Sequence, residues 1–375
     1  MTEGSDSKTR WYKIENENEV YSPAILVYPG RIEENILRMI NIAGSVNRLR
    51  PHVKTHKIPE IVRLQLKYGI KKFKCATIAE AEMAAMSGAS DILLAYQPVG
   101  PAIKRFLNLK QTFPDIRFSC IADSVNIIKE LSDVFDSAIQ ETEIWLDINV
   151  GMNRTGIEPG DAAIEAIKMI SKLPMLKFAG LHIYDGHIND QDPELRRKKC
   201  NKSFEPVNQL INDITRSGRR SPQIVAGGTP TFPIHAQHAG AELSPGTTLL
   251  WDYHSSSNFK DLDFLYAGML FIRVISKPAA NTICLDLGHK AVASEMPQPR
   301  VIFPEIEDAS IIGHNEEHMV VKTTKADMIN IGDVIYGIPW HICPTVDRYE
   351  KVTVVREEKA SGQWNVEARK RVITI

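Results

Sequence analysis

From residue 24 to about residue 250, short apolar runs alternate with stretches whose apolar residues recur at helical spacing. The runs are 24–28, 49–55, 73–77, 92–97, 117–122, 144–149, 178–184 and 223–226. Between them Ile32, Ile36, Leu37 and Ile40 share one helical face, as do Ile127, Ile128, Leu131 and Phe135. Repeated strand-then-helix units predict parallel strands joined by right-handed crossovers. Seven or eight of them predict an α/β fold with an N-terminal TIM-like (β/α)8 barrel rather than an open sheet. Beyond residue 255 the pattern changes. The segments 264–274, 282–287, 311–313, 318–323, 334–337, 351–355 and 363–374 read as short strands, and helical periodicity nearly vanishes. The expected organisation is an arm over 1–23 that packs on the β-domain, a barrel over 24–250, and a C-terminal all-β domain over 251–375.

Composition narrows the function classes. Across 375 residues, 45 Lys and Arg balance 46 Asp and Glu, so there is no electrostatic footprint for nucleic acid. A hydrophobic fraction of 43% suffices for a large core. No stretch approaches the roughly 18 apolar residues a membrane span needs. The first twenty residues are polar, without an apolar signal core. The five cysteines, Cys75, Cys120, Cys200, Cys284 and Cys343, are odd in number and scattered, which predicts reduced thiols in a cytoplasmic protein.

In such barrels chemistry collects where strands end at their C-terminal face. Lys54 closes the run 49–55, where an ammonium is costly unless used or paired. Burial lowers a lysine pKa, which suits carbonyl chemistry at the amine. The plainer alternative is a surface lysine among solvated neighbours His52, His56 and Lys57. Other runs end at Thr77, Gln97 and Tyr184, and Gly227-Gly228-Thr229-Pro230-Thr231 follows an apolar run. Small residues let backbone N–H groups reach an anion, although an ordinary tight turn would read the same way. A phosphate-bearing aldehyde cofactor needs both a lysine and such a cradle. In the β-domain, His341-Ile342-Cys343 would project imidazole and thiolate to one side of an extended segment, as two ligands of one ion. A thiolate favours zinc over manganese or magnesium, and a buried apolar Cys343 is the alternative.

Arg50-Pro51-His52-Val53-Lys54-Thr55-His56-Lys57 resembles the lysine motif of the D-threonine aldolase and D-serine dehydratase family, pyridoxal-phosphate enzymes of the alanine-racemase fold. The resemblance extends to Gly151-Met152-Asn153-Arg154-Thr155-Gly156, Tyr184-Asp185-Gly186, the Gly-Gly-Thr-Pro-Thr run, Glu242-Leu243-Ser244-Pro245-Gly246 and His341-Ile342-Cys343-Pro344-Thr345-Val346. It implies that Lys54 binds pyridoxal phosphate as an imine. Arg154 would approach its phenolic oxygen, Tyr184 would lie against the ring, and Gly227, Gly228 and Thr229 would hold the phosphate, with Thr77 and Gln97 nearby. It further implies a divalent metal on His341 and Cys343 beside the cofactor, and a homodimer.

The activity implied is a metal-assisted lyase acting on β-hydroxy-D-amino acids. One outcome is retro-aldol cleavage to glycine and an aldehyde; the other is dehydration of D-serine or 3-hydroxy-D-aspartate to a 2-oxo acid and ammonia. D-Threonine aldolases often carry a His six residues beyond the Tyr, where this chain has Asp190, so His187 is the candidate base. His-x-Cys resembles the dehydratases and the Pro-Thr-Val continuation the aldolases; the expectation is an aldolase. An amino-acid racemase would show Arg-Pro-Gly in place of Ser244-Pro245-Gly246. A non-catalytic pyridoxal-phosphate carrier would lack the large β-domain. A metal-dependent barrel enzyme without the cofactor is the remaining class.

Overall fold

The computed structural model describes residues 10–375, which form two compact units. The first strand, β1 (Ala24–Val27), does not belong to the barrel, where its apolar run would have put it. It pairs antiparallel with residues 268–271 and parallel with residues 353–354 in the second unit. The reason lies in its packing: Leu26 and Tyr28 are buried against Met269, Phe271 and Tyr336.

The barrel unit is built on seven parallel strands that neighbour one another in chain order. They are β2 (Lys72–Cys75), β3 (Asp91–Leu94), β4 (Arg117–Ala122), β5 (Thr142–Ile148), β6 (Leu176–Ile183), β7 (Gln223–Ala226) and β8 (Ala241–Leu243). Residues 49–52 close the ring. Leu49 lies opposite Leu243 of β8 and His52 opposite Lys74 of β2, both in parallel. The Arg50 N–H donates to the Leu243 carbonyl (2.8 Å) and the Lys74 N–H to the Pro51 carbonyl (2.9 Å). Pro51 has no N–H to contribute, so this eighth member is irregular. The sequence pattern missed β8 because it is three residues long with Glu242 at its centre.

Leu93, Ile121, Trp145 and Val225 pack together, and the Trp145 indole donates to Ser119 Oγ (3.1 Å). Charged residues at or near the strand starts pair across the sheet. Arg50 is fully buried and reaches Glu242 (2.6 Å) and Asp91 (2.7 Å); Lys72 also pairs with Glu242, and Arg117 joins Asp91 (3.0 Å) to Glu143 (2.6 Å). Removing one partner from such a buried network typically costs about 3–5 kcal/mol, because the other is left uncompensated. Arg50 therefore serves the closed end of the barrel and leaves the chemistry to the opposite, C-terminal mouth.

The second unit contains β9 (Gly268–Ala279), β10 (Thr282–Leu285), β11 (Val301–Ile302), β12 (Ser310–His314), β13 (Met319–Lys322), β14 (Val334–Pro339), β15 (Lys351–Arg356) and β16 (Lys359–Asn365). The sheet order is β12-β13-β10-β9-β1-β15-β16, with β14 also paired to β9 and β11. Tyr12, Ile14 and Val20 are buried in its core, and the Glu15 N–H donates to the Glu358 carbonyl (2.7 Å). Residues 1–9 of the expected arm lie outside the described residues. The predicted strand 363–374 is cut short: β16 ends at Asn365 and the tail joins the barrel unit. There the Thr374 N–H donates to Glu82 (2.9 Å), a carboxylate buried in the helix Ile78–Met86. No helix among the described residues is long and apolar enough to cross a membrane.

Candidate active site

The chain turns sharply after the closing segment, in a single 3-10 turn over Val53–Thr55. His52 starts that turn, its Nδ1 accepting the Lys54 N–H (3.3 Å). The turn directs the half-buried Lys54 amine to 5.6 Å from the centroid of the Tyr184 ring. Lys57 goes elsewhere. Its Nζ is 2.8 Å from the buried carboxylate of Glu80.

Arg154 reaches the same ring, its guanidinium carbon 4.8 Å from the centroid. The loop after β5 makes this possible. Asn149 Oδ1 accepts the N–H groups of Gly151 (3.0 Å) and Asn153 (3.1 Å), and Ile157 returns to pair with Ile148. Gly156 closes the loop at φ +100°, its N–H donating to Asp123 (2.7 Å). A Cβ there would stand 2.5 Å from the Asn149 backbone nitrogen, so only glycine fits.

Tyr184 follows β6, and its ring lies against Gly228: a Cβ on Gly228 would be 3.1 Å from Cε2. Asp185 sits behind it, fully buried, and holds the Gly-Gly-Thr-Pro-Thr turn. Its carboxylate accepts the Thr231 hydroxyl (2.7 Å) and pairs with His235 Nε2 (2.7 Å), and Thr231 Oγ1 accepts the Gly228 N–H (3.2 Å). Burial would raise the Asp185 carboxyl pKa, but His235 and Thr231 hold it below the ordinary value. With Cys200, Asp185 and His235 bring three potential metal-ligand atoms within 4.8 Å of one another.

Lys74 and His182, which the sequence pattern did not single out, and Asp147, which it gave no catalytic role, complete the cluster around the Tyr184 ring. Lys74 of β2 is 2% exposed, with Nζ 3.4 Å from His182 Nε2 and 5.7 Å from the Tyr184 centroid. His182 Nδ1 in turn lies 2.6 Å from Asp147 Oδ1. Burial and the Lys54 charge push the Lys74 amine down to about 7, against the pull of Asp147 and Asp185. Burial and Lys74 likewise lower the His182 pKa, and burial with Lys54 and Lys74 lowers that of His52. Asp147 stays below its ordinary value in spite of burial, because His182 and the Thr155 hydroxyl favour the carboxylate. A strand buried on both faces should carry apolar residues throughout, so a lysine between Phe73 and Cys75 was the available signal.

Thr77 and Gln97 are engaged otherwise than expected. Thr77 caps the helix Ile78–Met86, accepting the Glu80 N–H (3.0 Å), while Glu80 accepts the Ala76 N–H (2.6 Å). Gln97 Oε1 accepts the N–H groups of Asp123 (2.8 Å) and Ser124 (3.2 Å). His187 is exposed, with Nε2 beside Gly151.

These residues fit a phosphorylated aldehyde. Lys54, Lys74 and Arg154 converge on one ring, whereas the two carboxylates nearby, Asp147 and Asp185, are each tied to a histidine. The N–H groups of Gly246 (3.2 Å) and Thr247 (3.1 Å) donate to Thr229 Oγ1, and that of Gly228 donates to Thr231 Oγ1 (3.2 Å), so the turn gathers its backbone donors around two threonine hydroxyls.

In the second unit His341 does not lie on an extended segment, as its spacing suggested. It starts the short helix Ile342–Val346, because the Asp252 carboxylate accepts the Ile342 N–H (3.1 Å) and bends the chain there. His341 Nδ1 is 2.6 Å from Glu295 Oε1. Burial opposes its charge, but Cys343, Asp252 and Glu295 push the imidazole up to about 9. An imidazole and a thiol are donor types that a divalent cation takes, but among the described residues the three potential ligand atoms gathered within reach of one ion are those of Asp185, Cys200 and His235.

Residues 27–254 match the model of the alanine racemase N-terminal domain. The chain belongs to this family. Residues 267–355 of this alanine-racemase-like chain match a putative serine dehydratase domain. It is 28% identical to a D-threonine aldolase of an Arthrobacter species, over 93% of both chains. It is 27% identical to a 3-hydroxy-D-aspartate aldolase of Paracoccus denitrificans, over 94% of this chain and 93% of the relative. Among solved structures, the D-threonine aldolase of Filomicrobium marinum superposes with a TM-score of 0.88 at 25% identity, covering 95% of this chain and 98% of the other. The barrel-plus-sheet fold expected from sequence is thus that of the alanine-racemase-fold relatives.

Proposed function

We propose that this chain is a pyridoxal-phosphate-dependent lyase of β-hydroxy-D-amino acids that cleaves them, as D-threonine aldolases do, to glycine and an aldehyde. The observation that carries the reading is the convergence of Lys54 and Arg154 on the Tyr184 ring beside the Gly228 turn. Lys54 would bind the cofactor, Arg154 would face its phenolic oxygen, and Gly227, Gly228 and Thr229 would hold its phosphate. Bound there, pyridoxal phosphate supplies an electron sink for charge developing at the substrate's α-carbon. Tyr184 would fix the plane of the ring. His187 would take the proton of the β-hydroxyl, which the exposed position of its ring permits.

His341 and Cys343 would hold a divalent ion, zinc being favoured by the thiolate, to act as a Lewis acid toward that hydroxyl. We further infer a homodimer, on the family resemblance, and a cytoplasmic setting, on five scattered cysteines that form no disulfide. The thiolate of Cys343 also resembles the dehydratases and supports the second reading, loss of water. Product analysis separates the two. D-threonine, D-serine and 3-hydroxy-D-aspartate are supplied to the purified enzyme. Glycine with an aldehyde supports cleavage, whereas ammonia with a 2-oxo acid supports dehydration and overturns the aldolase reading.

A further inference from the structure

The chamber contains two lysines, and the proposed chemistry uses one. Lys74 is more deeply buried than Lys54, yet among the described residues no carboxylate touches its amine; its polar neighbour is His182 Nε2 at 3.4 Å. A buried ammonium without a direct counter-ion is costly, and a purely structural lysine would be paired, as Lys57 is with Glu80. His182 is oriented by Asp147: with Nδ1–H donating to the carboxylate at 2.6 Å, Nε2 carries the lone pair and accepts from Lys74. The chain Asp147–His182–Lys74 thus points one amine at the ring that Lys54 also faces, at nearly equal distance (5.7 and 5.6 Å). The groups around Lys74 are His52 of the closing segment, Lys54 of the turn after it, Asp147 of β5, Arg154 of the loop after that strand, and His182 with Asp185 on and just beyond β6.

We propose that Lys74 is the acid–base residue of amine exchange, moving a proton between the incoming substrate nitrogen and the departing nitrogen of Lys54. The inference rests on the reading of Lys54 as the cofactor's anchor. When substrate and lysine change places on one carbonyl carbon, the substrate ammonium gives up a proton and its nitrogen forms the new C–N bond. The C–N bond to Lys54 breaks, and that nitrogen gains a proton. A neutral Lys74 accepts the first proton and returns it in the second step, so nothing is drawn from water. Its amine, poised near neutrality, can do both.

The test mixes holoenzyme with D-alanine, which has no β-hydroxyl to cleave, and quenches with borohydride at increasing times. The reduced pyridoxyl label then moves from protein to amino acid as exchange proceeds. Lys74→Met is expected to slow this transfer about 100-fold or more. It should also remove an inflection near neutral pH that the wild type shows. Lys74→Arg, which keeps the charge but cannot release a proton, should be as slow, and Asp147→Asn should be slowed less. Label on Lys54 at time zero verifies that each variant is folded and loaded. Exchange in Lys74→Met and Lys74→Arg within twofold of wild type overturns the proposal. Wild-type protein that is not labelled on Lys54 at all overturns the cofactor reading beneath it, a result distinct from slow exchange.

Discussion

The Tyr184 ring rests directly on Gly228, with no space for even a methyl group between them. Gly228 also gives its N–H to Thr231, which Asp185 holds in turn, so ring and turn are positioned as one piece. Gly228→Ala should therefore fold, since the ring edge can tilt, but should misplace both the ring and the donors of the turn. The expected result is a cofactor affinity about tenfold weaker, or ~1.4 kcal/mol, by spectral titration of the apoprotein. Unchanged affinity would mean that this turn does not hold the phosphate.

The lysine register is open to direct test. Lys54 faces the Tyr184 ring and Lys57 is committed to Glu80. Borohydride treatment of the yellow holoenzyme should leave the label on Lys54, as read by peptide mass spectrometry, and Lys54→Ala should be colourless. Label on Lys57 would show that the register is wrong.

The loop that presents Arg154 depends on one residue. Gly156 combines a left-handed backbone with a 2.5 Å approach to the Asn149 nitrogen, an atom of the backbone that cannot swing aside. Gly156→Ala should cost roughly 2–4 kcal/mol by denaturant unfolding, or else release the loop and raise KM with it. Wild-type stability and kinetics together would show that the loop tolerates a side chain.

Motif residues were legible in the sequence because their chemistry is local. Lys54, Tyr184 and Gly228 stand at or just after strand ends, and the structure brings them together around the Tyr184 ring. The site's other half was not legible. Lys74, His182 and Asp147 come from β2, β6 and β5, and only closure of the ring brings them together. The domain boundary failed for a related reason. The apolar run of β1 has no mark of which sheet it joins, and its partners, β9 and β15, lie more than 240 residues away. Thr77 looked like a site residue because it ends a strand; the Glu80 three positions on marks it instead as a helix cap.

Lys74 also predicts how stability depends on pH. Its folded-state pKa is about 7 against an ordinary 10.5, so between these values the unfolded chain binds more protons than the native one. The penalty is complete below pH 7 and fades as pH rises toward 10.5. It amounts to at most ~4–5 kcal/mol. Lys74→Met should therefore stabilise the apoprotein at pH 7, by ~1–4 kcal/mol once some relaxation is allowed for, and progressively less toward pH 10. Urea unfolding of both proteins across this range checks the sign. A gain that grows with pH would show that the amine is not buried as a charge.

The metal reading divides into a ligand effect and an orientation effect. A metal-binding imidazole is oriented by the hydrogen bond its other nitrogen makes, and Glu295 holds His341 Nδ1 at 2.6 Å. A carboxylate in that position fixes the tautomer, so that Nε2 would be the nitrogen offered to an ion. Chelation, or His341→Ala with Cys343→Ala, should abolish turnover while the protein stays yellow, because the residues proposed to hold the cofactor, Lys54, Arg154 and Tyr184, lie in the barrel unit. Glu295→Gln should retain the ligands but weaken zinc binding about 10–100-fold in a competition with a chromogenic chelator. Turnover that survives complete removal of metal would take His341 and Cys343 out of the mechanism. Equal zinc affinity in Glu295→Gln would leave those two ligands in place and show that the imidazole is oriented by something else.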